Sequence, residues 1–519
     1  MRYVVGIDLG TSSCKVGLFD AAGRPAGIGQ AGYTITRGAG GQAEQNLDDY
    51  WPSVCAAVQQ ALAAVGGQPE IAAVGLSGQV GTHLLIDRTG RALRPALSWQ
   101  DTRSRGEAQW LDQTLGRARL AAALGIDLPP SPAWPLPRLL WLQRHEPETL
   151  ARTWRILQVK DYVAWRLTGE LATDASSWRG LLRLPGTALA EDVLTELGLP
   201  LDLLPRRQPP SAVIGPLTPE AAAATGLPAG TPVVTGWNDL NCGLLGTGIV
   251  QPGVGFDIGG TTEHLGVAVA PDAALGSTAS LMLAPYLTHE ADGATRVCYG
   301  VTSAGGGALE WYGNQLVPDL LASYGVALPP DAPERLLASA AAVPPGAGGL
   351  LFLPYLHGER APIWDAAARG VFFGLNGGHR HGHLVRAVLE GVAFSLRHVL
   401  QTVEAAVGKP VERIYASGGP ANLPLWNGIK AGVLNRPLVI PQVTHAACLG
   451  AAMLAALGAG WHANAAAAAS AMVQVARVVE PDPRHTARYG ELFEIYVNLY
   501  PQLRRSFAQL AAITSTEGV

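Results

Sequence analysis

The alternation of apolar and polar positions at the start of the chain predicts a β-hairpin. Two apolar runs, 3–7 and 16–19, flank a turn made of Gly10 and three hydroxyl residues. Such a turn exposes backbone N–H groups and hydroxyls that can hold a phosphate. Asp8, at the end of the first run, can meet a hydrated Mg²⁺, and Lys15 supplies a compact positive charge. An ordinary hairpin with a polar turn stays open as the alternative, and no P-loop motif is present.

The same pattern recurs in residues 253–267, where an apolar strand, a Gly/Thr turn and a second apolar strand follow one another. This repeat predicts two domains of related topology, each opening with a phosphate-facing hairpin, with a boundary near residue 247. A chain of 519 residues is also too long for a single core.

Spacing and cap residues predict several helices. Asn46 is a candidate N-cap for a helix over 47–65, and apolar residues at helical spacing predict a packing helix over 484–511. Residues 134–184 are predicted to be helical with polar breaks. The apolar stretch 446–461 is short and rich in Ala and Gly, which favours a buried helix over a membrane span.

Several junctions carry glycine or polar residues at strand ends or helix starts, where α/β sheets bind ligands. They lie at 78–83, 96–103, 303–311 and 418–422. In the last of these a strand runs through Gly418-Gly419 into a helix. The glycines permit close approach of a nucleotide, and the helix N-terminus favours negative charge. Gly-Gly turns also occur for purely structural reasons, so this alternative stays open.

Composition narrows the class of protein. Apolar residues make up 48% and charged residues 15%, which predicts a globular protein. The net charge of −4 gives no footprint for nucleic acid or an anionic membrane. Five scattered cysteines without CxxC spacing and the lack of a signal peptide predict a cytoplasmic protein. The alternating histidines 379, 381 and 383 have zinc-like spacing but no partner ligands nearby.

Residues 353–362 and 368–375 closely resemble the FGGY family of carbohydrate kinases. The C-terminal signature of that family is matched by Gly370-x-Phe372-x-Gly374-Leu375, seven further residues and His383-Leu384-x-x-Ala387-Val388-Leu389-Glu390. The N-terminal signature is recognisable in 135–145, with Arg138 where Lys is usual and Ala133 outside the usual set.

The resemblance covers essentially the whole chain and, among members of the family, is greatest to the xylulokinases. It implies an α/β fold of two actin-like (ribonuclease H-like) domains with an interdomain cleft. Residues 1–246 would form the N-terminal FGGY domain, with the sugar site and the phosphate hairpin. Residues 247–519 would form the C-terminal, nucleotide-binding FGGY domain.

The family's activity implies ATP-dependent phosphorylation of a hydroxyl of a small sugar, such as the ketopentose D-xylulose, with Asp239 as general base. ATP and Mg²⁺ would be required, and Asp8 would be catalytic and hold Mg²⁺ through water. The implied substrate-binding residues are Gln79, Val80, Gly81, His83, Trp99, Asp101, Trp237 and Asp239. The implied nucleotide-binding residues are Thr11, Ser12, Ser13, Lys15, Gly260, Thr261, Gly306, Glu310, Gly418, Gly419 and Asn422.

The substrate end departs from the family pattern. Val80-Gly81 stands where xylulokinases have Met-His, and Leu240 follows Asp239 where Asn or Gln is usual, so groups that would grip a polyol are lost. A kinase of another linear sugar, aldonate or polyol (gluconate, glycerol or erythritol type) therefore stays open. So do a non-sugar actin-like ATPase, a regulator without turnover, and a role for Asp239 as a mere helix cap. The predicted partner is a sugar, with no nucleic acid and no membrane; a homodimer is left open.

Overall fold

Five β-sheets and seventeen α-helices occur in the parts of the chain that this computed structural model describes, which are residues 1–124, 129–179, 181, 191–200, 202–287 and 295–516. The chain divides into two units. The first comprises Met1–Val250, Ala284–Thr295 and His445–Gln474, and the second comprises Gln251–Leu283, Arg296–Thr444 and Val475–Val519.

The strands alternate with helices along the whole chain. In chain order they are β1 (Arg2–Leu9), β2 (Ser13–Phe19), β3 (Pro25–Gly32), β4 (Thr36–Arg37), β5 (Ala43–Gln45), β6 (Glu70–Gly78), β7 (His83–Ile86), β8 (Ala96–Leu97), β9 (Arg155–Gln158), β10 (Ala172–Thr173), β11 (Arg206–Arg207), β12 (Val213–Pro216), β13 (Pro232–Val234), β14 (Trp237–Asn238), β15 (Gly255–Gly259), β16 (Glu263–Val269), β17 (Met282–Pro285), β18 (Arg296–Val301), β19 (Leu351–Leu353), β20 (Val371–Phe373), β21 (Ile414–Gly418), β22 (Leu438–Pro441) and β23 (Val475–Val479).

The helices are α1 (Leu47–Val65), α2 (Arg105–Thr114), α3 (Arg117–Leu124), α4 (Pro135–His145), α5 (Pro147–Arg152), α6 (Val159–Thr168), α7 (Glu191–Glu196), α8 (Pro219–Thr225), α9 (Asp239–Gly246), α10 (Gly306–Trp311), α11 (Val317–Ser323), α12 (Ala332–Ala341), α13 (His381–Val407), α14 (Pro424–Leu434), α15 (Ala446–Gly458), α16 (Ala465–Met472) and α17 (Pro483–Thr516). Short 3₁₀ turns at Ser176–Trp178 and Gly419–Asn422 also matter for the site.

The first unit is built on a sheet of order β12-β13-β6-β1-β2-β3, with β14 added beside β6. β1 pairs antiparallel with β2 and parallel with β6, so the predicted N-terminal hairpin is confirmed. Helix α15 packs on β1 and β6 at backbone distance. A Cβ atom on Gly6 would lie 2.0 Å from the carbonyl oxygen of Cys448, and one on Gly75 would lie 1.9 Å from that of Ala451. Only glycine permits such an approach.

The second unit repeats this arrangement in a sheet of order β17-β18-β16-β15-β21-β22-β23. β15 pairs antiparallel with β16 and parallel with β21, as β1 does with β2 and β6. The predicted second hairpin and the predicted relation between the two topologies are therefore confirmed. The units do not coincide with two contiguous blocks of sequence, however, because α15 and α16 return to the first unit.

Most predicted helices are confirmed. Helix α1 begins after Asn46, whose side chain accepts a hydrogen bond from the Asp48 N–H group, and α15 and α17 follow the apolar patterns. The helical prediction over 134–184 is wrong for β9, which pairs with β7 and buries Ile156 and Leu157. This four-residue strand has only two apolar residues, too few for a periodicity that separates strand from helix. Residues 180 and 182–184 lie outside the described residues.

None of the described helices combines the length and the apolar character needed to cross a membrane.

Candidate active site

A row of polar side chains crosses four neighbouring strands of the first unit. Asp8 lies opposite Lys15 in the β1/β2 pair and opposite Ser77 in the β1/β6 pair, and Trp237 lies beside Ser77 in the β14/β6 pair. The Ser77 hydroxyl donates a hydrogen bond of 2.7 Å to Asp8 Oδ1. Burial raises the pKa of Asp8, and Ser77 and Lys15 offset that rise only in part.

Asp239 is the first residue of α9, directly after β14. The cap of this helix is Asn238, whose Oδ1 atom accepts a hydrogen bond of 2.9 Å from the Asn241 N–H group. The alternative that Asp239 serves as the cap is therefore wrong. Burial and then the negative charge of Asp8 raise the pKa of Asp239 to about 6, against the lowering effects of the Leu240 N–H group and Arg179.

The junction between β14 and α9 is fixed by one hydroxyl, that of Ser176. It accepts hydrogen bonds from Trp237 Nε1 at 2.8 Å and from Asn238 Nδ2 at 2.9 Å. It donates to Asp174 Oδ2 at 2.5 Å. Because all these partners flank Asp239 or support the 3₁₀ turn of Ser176, the position of Asp239 depends on this turn.

Beneath the turn lies a buried ammonium, that of Lys160. Its Nζ atom is 2.6 Å from Asp161 Oδ1 and 3.0 Å from Asp174 Oδ1, and all three residues are fully buried. Burial alone would lower the pKa of Lys160, but the two carboxylates outweigh it and raise that pKa. Two carboxylates in a dry site require this cation. The same cluster thus holds both Asp174 and the turn that positions α9.

Gln79, His83 and Trp99 lie on hydrogen-bond networks of the first unit. Gln79 Nε2 is 3.2 Å from Gln45 Oε1, and Trp99 Nε1 donates to Thr11 Oγ1 at 2.9 Å. Within the described residues, Gln79 Oε1 and His83 Nε2 are buried and have no hydrogen-bond partner. Burial and the charge of Arg138 hold the pKa of His83 well below its usual range, so this imidazole is neutral at physiological pH. Unpaired buried polar atoms fit a polar ligand.

The other predicted sugar-side residues have partners inside the protein. Asp101 accepts hydrogen bonds from the Ala43 N–H group and Arg103 Nε, both at 2.9 Å, and is only 3% exposed. The Trp237 ring stacks on Tyr286 with centroids 5.3 Å apart. Gly81, next to Val80, has φ +88°. Since the Gly81 N–H group donates to Gln158 Oε1, this turn is tied to β9.

The turn of the first hairpin is held by backbone-directed side chains. Tyr33 donates to the Gly10 carbonyl, and Gln45 Nε2 donates to the Thr11 carbonyl at 2.8 Å. Ser13 Oγ accepts a hydrogen bond from Gln30 Nε2 at 3.2 Å, and Ser12 is exposed. A rigid turn with an exposed hydroxyl beside Lys15 fits a phosphate group.

In the second unit, three glycine segments meet at the turn of the second hairpin. The Gly306 N–H group donates to the Gly260 carbonyl and the Gly305 N–H group to the Thr261 carbonyl, both at 2.8 Å. A Cβ atom on Gly418 would lie 1.8 Å from the Gly259 carbonyl oxygen. Glu310 and Asn422 are exposed on the adjacent α10 and 3₁₀ turn, and a Cβ atom on Gly419 would meet nothing within 4 Å. This open, backbone-lined surface fits a nucleotide.

For a metal ion, the described residues contain no cluster of three or more His, Cys, Asp or Glu side chains that could hold one. His379 and His383 accept backbone hydrogen bonds through Nδ1, from Asn376 and Arg380. Mg²⁺ needs only one or two protein carboxylates when it arrives with phosphates and water, and Asp8 fits that requirement. The roles of the individual site residues stay predictions.

Sequence reasoning missed the residues that hydrogen-bond to the predicted catalytic residues or to the elements that carry them. Ser77, Ser176 and Asn238 hold Asp8 or α9, yet short polar residues at strand ends are too common to stand out. A signal existed for the ammonium cluster, because Lys160-Asp161 lies among the apolar residues Ile156, Leu157, Val159 and Val163.

Known proteins match the chain over nearly its full length. Residues 3–246 and 258–459 match the family models described as the N-terminal and C-terminal domains of the FGGY family of carbohydrate kinases. The chain is 30% identical to the xylulose kinase of Bacillus subtilis, with 96% of this chain and 97% of that protein covered. It is 28% identical to the gluconokinase of the same organism, with 98% of each covered.

Solved structures give the same result. The ligand-bound xylulose kinase of Lactobacillus acidophilus has a TM-score of 0.85 and 26% identity, with 98% of this chain and 100% of that chain covered. The gluconate kinase of that organism has a TM-score of 0.84 and 25% identity, with 98% and 99% covered.

Replacing Lys160 tests the role of the buried ammonium. Lys160→Met keeps the volume but leaves Asp161 and Asp174 without a cation, so we expect the free energy of unfolding to fall by about 3–5 kcal/mol. Urea denaturation at pH 7 measures it. Lys409→Met, at an exposed lysine, is the control and should change stability by less than about 0.5 kcal/mol. Equal effects of the two substitutions would contradict the assignment.

Proposed function

The chain belongs to the FGGY family of carbohydrate kinases, and we propose that it phosphorylates a hydroxyl of a ketopentose such as D-xylulose, with Asp239 as the general base. Family membership makes it a sugar kinase, and FGGY kinases use ATP, generally with Mg²⁺. The observation that supports the base most directly is the pKa of Asp239, about 6. A carboxylate with that pKa is ionised at pH 7 yet basic enough to take a proton in the transition state.

The residues of the first unit supply the remaining parts of such a reaction. Asp239 accepts the proton of the attacking sugar hydroxyl; its carboxylate accepts a hydrogen bond from the Leu240 N–H group, and the Ser176 turn holds the preceding residues Trp237 and Asn238. Lys15 and the Thr11–Ser13 turn offer positive charge and donors to phosphate oxygens. Mg²⁺, held through water by Asp8, would neutralise charge on the transferring phosphoryl group. Gln79 and His83 offer unpaired polar atoms to sugar hydroxyls.

Removing the base tests this proposal directly. Asp239→Asn keeps the size of the side chain but cannot accept the proton, so kcat should fall by about 10² to 10⁴. Nucleotide affinity, measured by calorimetry, should change little. An Asn variant that turns over sugar within about threefold of wild type would show that another group is the base. ADP release that does not depend on added sugar would instead favour the actin-like ATPase.

The pH profile gives an independent test. Protonated Asp239 cannot accept a proton, so kcat/KM should be constant above the pKa of about 6 and fall about tenfold per pH unit well below it. Steady-state rates between pH 5 and 8 would measure this limb. The residual activity of Asp239→Asn should lack it. A limb of the same midpoint in the Asn variant would assign the titration to a different group.

An aldonate is the second candidate substrate, and Arg179 favours it. This residue follows the Ser176–Trp178 turn in a left-handed conformation, with φ 45°, which is unusual for a residue with a side chain. The turn is bonded to Trp237 and Asn238, and the charge of Arg179 lowers the pKa of Asp239. With the described residues, the half-buried guanidinium makes no hydrogen bond or ion pair. A carboxylate on the substrate would satisfy it.

Comparing the two acceptors decides between these candidates. If the acceptor is an aldonate, kcat/KM for gluconate should exceed that for xylulose. Arg179→Met should then lower the gluconate value by about 10- to 100-fold, the loss expected for a charge-assisted hydrogen bond. A coupled ADP assay measures both substrates. If xylulose is preferred and both values change equally in Arg179→Met, the ketopentose assignment stands.

A further inference from the structure

A second buried ammonium lies under the glycine turns of the second unit. Lys430 Nζ, on α14, is 2.8 Å from Asp257 Oδ2 and 2.9 Å from both carboxylate oxygens of Glu263. The three residues are at most 2% exposed. We call them the Lys430 cluster. Since two carboxylates share one cation, the cluster is one positive charge short when all three groups are ionised.

The first hairpin shows that this fold does not require charges at these positions. Leu9–Cys14 is the last pair before its turn, and Gly259–Glu263 is the last pair before the second turn. Glu263 therefore stands where the first hairpin has Cys14, and Asp257 stands where it has Ile7. Both of those residues are fully buried. Apolar side chains thus fill the same core-facing register in one hairpin, and an ionic cluster fills it in the other.

A buried ionic cluster is a poor means of stabilising a hairpin. Apolar residues of similar volume often serve a core equally well or better, because each buried charge loses its hydration. Burial and then the charge of Asp257 raise the pKa of Glu263, even though Lys430 lowers it. Stabilisation of the hairpin is therefore a poor explanation for these three charged residues.

The residues of the Lys430 cluster contact or adjoin the three glycine segments. Glu263 closes the turn that carries Gly260 and Thr261, and its carbonyl accepts the Thr302 N–H group at 2.9 Å. A Cβ atom on Gly305 would lie 2.5 Å from Glu263 Cγ. Lys430 lies on the helix that follows the Gly418-Gly419 turn. The cluster thus joins the hairpin, the entry to α10 and the middle of α14.

We propose that Glu263 and Lys430, together with Asp257, are positioning residues for the nucleotide, holding the three glycine segments at the spacing that accepts the polyphosphate and ribose of a nucleoside triphosphate. This inference rests on the proposed placement of the nucleotide at Gly260, Thr261 and Gly419. The cluster touches no substrate; it acts through the backbone that does. A displacement of about 1 Å in the groups that position a substrate can lower the rate by up to about 10²-fold.

Two substitutions of Glu263 separate its contact from its charge. Glu263→Ala and Glu263→Gln both remove the negative charge and leave Lys430 paired with Asp257, so neither strands an unpaired ion. Only Gln still accepts a hydrogen bond from Lys430. We expect Glu263→Ala to weaken ADP binding by about tenfold or more, and Glu263→Gln to stay within about threefold of wild type. Calorimetric titration of the full chain with MgADP measures both, and sugar affinity should stay within about twofold.

Controls keep the outcomes distinct. Arg386→Met/Glu390→Met removes another buried ion pair of the same unit and should leave ADP affinity within about twofold. Should Glu263→Ala fail to fold, the apolar variant Asp257→Leu/Glu263→Met/Lys430→Met replaces it, with the same expected loss. ADP affinity equal to wild type in the variant that folds would overturn the positioning role.

Gly419→Val tests the underlying placement separately. A side chain there enters open space, so it should weaken ADP binding without unfolding the protein, and Gly377→Val, also in open space on an exposed loop, should not. If Gly419→Val leaves ADP affinity unchanged, the nucleotide placement fails, and the positioning role with it. If Gly419→Val weakens binding and Glu263→Ala does not, the positioning role alone fails.

Discussion

The ion pairs of Lys160 are the interaction on which the site of the first unit depends. A single buried ammonium holds Asp174 in place. Asp174 in turn holds the Ser176 hydroxyl, which fixes the strand end and helix start around Asp239. Lys160 and Asp174 are buried and Ser176 is partly buried, so loss of a partner within this chain of contacts would leave a polar group unsatisfied. The carboxylate of Asp239 is consequently presented from this junction, and burial and then the negative charge of Asp8 raise its pKa.

The two halves of the molecule show how one topology accommodates two chemistries. Both units pair a hairpin with a parallel strand, and strand alternation sends every second side chain to the core. In the first hairpin the charged residues Asp8 and Lys15 occupy the register of the polar row. In the second hairpin the charges at Asp257 and Glu263 fall on the core-facing register and leave the turn as bare backbone. A change of register by one residue is enough to move charge from a reaction centre to a buried support.

The overall fold does not discriminate between substrates. Xylulose and gluconate kinases of one organism superpose on the chain almost equally well, with TM-scores of 0.85 and 0.84. Phosphoryl transfer to either substrate needs the same positioning and charge neutralisation and a group that takes the proton of the attacking hydroxyl. We propose that discrimination comes from the side chains of the sugar site, among which Val80 and Gly81 replace hydrogen-bonding residues of the xylulokinases and Arg179 adds a charge that acts on Asp239. Function is therefore decided at the site rather than by the architecture.

The sequence by itself determined the features that depend on neighbouring residues. Both hairpins and the cap at Asn46 follow from strand alternation, glycine turns and one side-chain hydrogen bond, and the FGGY signatures identified the family. The sequence did not predict strand β9, because no pattern of neighbouring residues indicates its pairing with β7. Only the tertiary structure decided the pKa of Asp239, the hydrogen bonds that Asp101 accepts from Ala43 and Arg103, and the two buried ammonium clusters. Those properties arise from burial and from charges that residues remote in sequence bring together, and no local pattern of residues encodes such distances.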